Sequence, residues 1–164
     1  MSQRLNIVLG SSDWRGHFLS NLAPTPFIAG QYRFPSVESA LQGIKFADSA
    51  ERERVFALDG PKALRVGRRI TATVGDEGEH WVYWQDEILR YNSTEHRLLI
   101  ALFIGEKVRR NPEVQRALLA TEGSFIFHDT GHRENPQTSL PEKFYIEILL
   151  AQRRLLRKLE ALHR

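Results

Sequence analysis

Apolar positions fall into helical and strand-like spacings along this chain, and polar, Gly and Pro positions separate them. After Pro35, Val37, Ala40, Leu41 and Ile44 mark one face of a helix, with Ser36 placed to cap it. Asp48 opens a second helix, with Glu51 three positions on as its capping partner. Pro61 stands at the start of a short third helix, PKALRVGRR, where its missing N–H does no harm. Further helices are predicted from Thr94, with Asn92-Ser93 as its N-cap, to about Arg110, from Asn111-Pro112 to about Ala120, and from Pro141 to the C-terminus. Phe144, Tyr145, Ile148, Leu149, Leu155, Leu156, Leu159 and Leu162 mark the buried face of the last. Strand signals lie at Leu5 to Leu9, Ile70 to Val74 and Ser124 to Phe127. Pro26 to Phe34 reads as a hairpin turning at Ala29-Gly30, and Trp81 to Tyr91 as a second hairpin. Ser11 to Gly16, the acidic residues 76–80 and Gly131 to Leu140 read as loops. The sum is one α+β domain over 1–164, five or six helices around a few short antiparallel strands.

The length suits one domain, and 41% hydrophobic with 26% charged residues is ordinary for a soluble protein. Without cysteine there is no disulfide, no thiolate zinc site and no cysteine nucleophile, which fits a reducing compartment. The N-terminal apolar run, Ile7-Val8-Leu9, is too short for a signal peptide or a membrane span. A cytoplasmic protein with no membrane partner is the expectation. The net charge is +3, and much of the excess sits at Arg153, Arg154, Arg157, Lys158 and Arg164. A solvated helix face explains that cluster, and so does a surface that attracts nucleic acid.

On the helix after Pro35, Glu38, Gln42 and Lys45 occupy an arc next to the apolar stripe. An acid, an amide and an amine there either line a cleft or simply face solvent, Glu38 then serving the helix dipole. Ser20-Asn21 in a polar loop either satisfies local backbone or reads a sugar or base edge. Gly67-Arg68 either caps a helix C-terminus or offers an N–H and a guanidinium to a phosphate. Trp84 and Tyr91, with Trp81, are either core or a wall on which a heterocycle stacks. Asp129 caps a turn or supplies a second carboxylate, and His128, Asp129 and His132 match no zinc spacing. Nucleophile-elbow, phosphate-loop and dinucleotide motifs are absent.

In combination these stretches resemble the YbiA-like, or NADAR, family. Ser20-Asn21 and Phe34-Pro35-Ser36-Val37-Glu38 look like its S-N-F and W-P-T-S-E-H-Y segments, and Gln42 to Phe46 like its Q-A-x-K-F. Ala63 to Arg68 is similar to A-x-x-x-G-R, and Lys107 to Thr121 to K-F-x-x-N-P-E-L-x-x-x-L-L-A-T. The pieces keep the family's order over residues 18 to 155. Two departures stand out. The family's Trp before the K-F segment falls on Asn92 when counted back without gaps, and its W-G after the late strand is replaced by His128-Asp129.

The resemblance implies an N-glycoside hydrolase that cleaves a ribosyl C–N bond without cofactor or metal. Its substrate would be an ADP-ribosylated guanine in a nucleotide or nucleic acid, or a small ribosylated heterocycle such as a riboflavin-pathway aminouracil. Glu38, Lys45 and Asp129 would then be catalytic, and Ser20, Asn21, Gln42, Gly67, Arg68, Trp84 and Tyr91 would hold substrate. The rival reading is a non-catalytic nucleotide or nucleic-acid module, whose binding would weaken steeply with salt. A third is an interaction protein that dimerises through its last helix.

Overall fold

A computed structural model describes residues 3–73 and 80–163. Seven helices and six strands are found among them, in the order β1 (Arg4–Asn6), α1 (Trp14–Leu19), β2 (Phe27–Ala29), β3 (Tyr32–Phe34), α2 (Val37–Gly43), α3 (Ser49–Phe56), α4 (Gly60–Thr73), β4 (Trp81–Trp84), β5 (Glu87–Arg90), α5 (Thr94–Arg110), α6 (Pro112–Leu119), β6 (Phe125–Phe127) and α7 (Glu142–Leu162). The helix-dominated α+β class holds. Ser36, Asp48 and Ser93 each cap the helix that follows with a side-chain oxygen, as their positions predict. At α2 the cap is reciprocal, since the Ser39 hydroxyl also accepts from the Ser36 N–H.

Three expectations fail. Residues 11–16 are not all loop. Asp13 accepts a hydrogen bond from the Arg15 N–H at 2.9 Å and starts α1 at Trp14. Gly16 lies inside that helix because a β-carbon there would sit 2.1 Å from the Asn6 carbonyl oxygen. Residues 70–73 continue α4 instead of forming a strand. Ile70 extends the stripe of Ala63 and Val66 onto Phe46 and Val55, and that packing overrides the weak preference of a β-branched run. Val74 and residues 76–79 of the expected turn lie outside the described residues. Finally, the strands are not all antiparallel. Both hairpins are, but β1 runs parallel to β6, pairing Arg4 with Phe125 and Asn6 with Phe127.

The core is aromatic at its centre. Phe34 lies 5.1 Å from Phe27, 4.7 Å from Phe56 and 5.5 Å from Phe103, ring to ring, and Trp84 closes the group. A ring buried this way contributes roughly 3–5 kcal/mol. Helix α2 is wholly buried against it, with α3, α4 and α5 around its sides. The second hairpin docks on the end of α2 through the Tyr83 N–H, which donates to the Ile44 carbonyl at 2.7 Å. A short helix buried on all sides carries its polar residues into the interior as well, and this fixes where the candidate site lies. No helix among the described residues is long and apolar enough to cross a membrane.

Candidate functional site

Glu38 sits in the first turn of α2 with 4% of its surface exposed. A lone carboxylate in that position would be severely destabilised. Two amides offset the loss. The Gln42 Nε2 donates to Glu38 Oε1 at 2.6 Å, one helical turn along, and the Asn21 Nδ2 donates to Glu38 Oε2. Backbone ties the same residues together, since the Glu38 N–H donates to the Asn21 carbonyl at 2.9 Å. Burial pushes the Glu38 carboxyl above the ordinary glutamate value. The Gln42 hydrogen bond, the charges of Lys45 and Arg68, and the Asn21 hydrogen bond all work against that rise.

Lys45 lies just past the end of α2, half-buried. Burial lowers its pKa, while the Glu38 charge holds it up. Gln42 contributes a second feature. Its Nε2 is committed to Glu38, so its Oε1 faces away, buried and without a hydrogen-bond partner. That oxygen rests on Gly67, where a β-carbon would meet it at 1.7 Å. Gly67 is therefore an interior residue of α4 and not a C-terminal cap. Its lack of a side chain makes room for the Gln42 amide. Arg68 beside it is exposed and adds positive potential at Glu38.

The remaining expected site residues divide. The Tyr91 hydroxyl donates to the Gln137 carbonyl at 3.0 Å; burial raises its pKa, and the Glu38 charge adds to the rise. Ser20 is buried, but its hydroxyl serves the turn by accepting from the Leu22 N–H. Trp84 is part of the aromatic core, 5.1 Å from Phe103 and 5.9 Å from Tyr32. Asp129 is exposed and turned to its own loop. Its carboxylate accepts from the Gly131 N–H at 2.7 Å, and its backbone exchanges two hydrogen bonds with the Asn6 side chain. The structure thus gathers Asn21, Glu38, Gln42, Lys45, Gly67, Arg68 and Tyr91, and leaves Trp84 and Asp129 elsewhere.

Three residues at or near this cluster were not among the expected site residues. His96 is 1% exposed and its ring lies 5.1 Å from the Tyr91 ring, tilted 43° to it. Its Nδ1 accepts from the Asn92 N–H at 3.0 Å, which places the proton of the neutral ring on Nε2. Burial, then the charges of Lys45 and Arg97, bring its pKa down to about 4. Lys107 is 1% exposed, and burial lowers its pKa to about 7. The Tyr145 hydroxyl donates to the Leu19 carbonyl. For Lys107 a signal existed. It continues the stripe Leu99, Ile100, Phe103 and Ile104, so a cation falls where helical spacing demands an apolar residue.

Over 138 residues the chain is 28% identical to an uncharacterized 17.1 kDa protein of the Gp30-rIII intergenic region of Enterobacteria phage T4, spanning 83% of this chain and 88% of that one. The fold matches the NMR structure of the E. coli protein YbiA with a TM-score of 0.63, at 18% identity, across 100% of this chain and 90% of the other. The resemblance to YbiA-like proteins therefore holds at the level of the fold. The model of one family, bacteriophage protein GP30.3, matches residues 13–154, and the chain belongs to that family.

Proposed function

We propose that this protein is an N-glycoside hydrolase that cleaves a ribosyl C–N bond, with ADP-ribose on a guanine base as the leading substrate. One observation carries the reading. A buried carboxyl is held by two amides next to a partly desolvated amine. Two adjacent groups with opposed pKa shifts are typical of acid–base and nucleophilic sites.

Cleavage stretches the C1–N bond, leaving positive charge on the sugar and negative charge on the departing nitrogen. Glu38, ionised, stabilises the sugar cation and takes a proton from the attacking water. Its raised pKa makes it the stronger base. Lys45 offers a second route. Its lowered pKa increases the share of free amine, which attacks C1 of the ring-opened sugar as the base leaves; water then splits the imine and returns the amine. Gln42 holds the Glu38 carboxylate with its Nε2, and Arg68 meets a phosphate. Asp129 has no part in this scheme.

The test is base release from ADP-ribosylated guanosine, followed chromatographically, with an aminouracil riboside offered alongside. Wild-type protein is expected to release one base. Release of neither overturns the glycosidase reading. Borohydride trapping of an adduct that disappears in Lys45→Ala selects the imine route.

A further inference from the structure

Three successive carbonyls, those of Leu19, Ser20 and Asn21, are each held by a different helix. The Tyr145 hydroxyl of α7 donates to Leu19, the Lys107 Nζ of α5 to Ser20 at 2.6 Å, and the Glu38 N–H of α2 to Asn21 at 2.9 Å. Both side-chain donors are buried, Lys107 at 1% and Tyr145 at 2% exposure. No carboxylate among the described residues pairs with Lys107, and the Ser20 carbonyl is its hydrogen-bond partner. The Glu38 field comes from Lys45 and Arg68 and not from Lys107. A buried cation with no counter-ion is a poor device for stability, because an apolar residue of the same length serves at least as well. What Lys107 does here is fix the carbonyl one residue before Asn21, whose amide grips the Glu38 carboxylate.

We propose that Lys107 is a positioning residue of the Glu38 site. Through the Ser20 carbonyl it sets the aim of the Asn21 amide, and so the hydrogen bonding of the Glu38 carboxyl. The consequence for turnover rests on the glycosidase reading; the consequence for Glu38 does not.

Lys107→Met retains the apolar stem and removes the donor, and the Ser20 carbonyl keeps the Ala23 N–H at 3.2 Å. The variant is expected to melt no lower than wild type. Its kcat is expected to fall about tenfold or more, with KM changed less than about twofold, since misplacement affects the reacting geometry more than binding. Carboxyl 13C NMR reads the Glu38 titration directly. Its midpoint is expected to move upward in Lys107→Met and in Asn21→Ala, and in the double variant no further than in Asn21→Ala alone. Tyr145→Phe removes the hydroxyl that donates to the neighbouring Leu19 carbonyl and supplies the same readouts should Lys107→Met not fold. An unmoved Glu38 midpoint in the folded variant, or a shift that adds fully to that of Asn21→Ala, overturns the proposal. The expected Glu38 shifts without base release by wild type overturn the glycosidase reading and leave the positioning role standing.

Discussion

Two acids, two surroundings. Glu38 and Asp129 both follow sequence patterns that suggest a catalytic carboxylate, yet the structure treats them in opposite ways. Glu38 is closed in by α2, α4 and the Asn21 turn, with two amide donors and two nearby cations. Asp129 stands in water and caps the turn at Gly131, whose φ of +79° suits glycine. The difference lies in what must compensate burial. A carboxylate kept inside needs dedicated donors, and those donors make it chemically distinctive. A solvated aspartate needs none.

Glu38→Gln probes this contrast most sharply. It removes the base and keeps the shape, and loss of a positioned base costs about 10²–10⁴-fold in rate. Undiminished kcat in the folded variant removes Glu38 from the chemistry. The same variant should melt higher than wild type at neutral pH. A carboxyl whose folded pKa is raised binds its proton more tightly when folded, so stability falls as pH rises above the ordinary value of 4.5. The gain should vanish in acid, below that value.

His96 gives the opposite slope. Its pKa falls from 6.5 to about 4, so the folded state disfavours the imidazolium. Stability present above pH 6.5 is therefore lost as pH drops toward 4, to the extent of roughly 3 kcal/mol over the interval. Denaturant titrations of wild type and His96→Gln across that range should show the slope flattened in the variant.

Gly67→Ala tests the packing of the Gln42 amide. With 1.7 Å between the added carbon and Oε1, the amide must move, and overpacking of this kind costs about 1–3 kcal/mol. A melting temperature equal to that of wild type would show that the contact yields freely. Asp129→Asn should do least. It keeps an acceptor for the Gly131 N–H, so turnover is expected within about twofold of wild type and stability within about 0.5 kcal/mol. A hundredfold loss there would return Asp129 to the mechanism.

The elements were legible where local chemistry decides them. Caps at Ser36, Asp48 and Ser93, and the prolines at 61 and 112, announce their helices without help from the rest of the fold. The sequence misleads at α1 and at residues 70–73, where distant packing overrides composition. In the site, the stripe of Glu38, Gln42 and Lys45 could be read from helical spacing, but its burial could not, because it depends on α4 and the second hairpin arriving from far along the chain. His96 was invisible for the same reason. Its neutrality comes from burial and then from Lys45 and Arg97, and the histidine alone shows none of this.

The parallel pairing of β1 with β6 has a kinetic meaning. β1 must find β6 across about 120 intervening residues, so closing it carries the largest chain-entropy penalty of any strand pairing here. Asn6 and Asp129 extend that closure by two further hydrogen bonds. Joined at so wide a separation, this seam should be the last to knit and the first to open, and its amide protons would exchange ahead of those in α2.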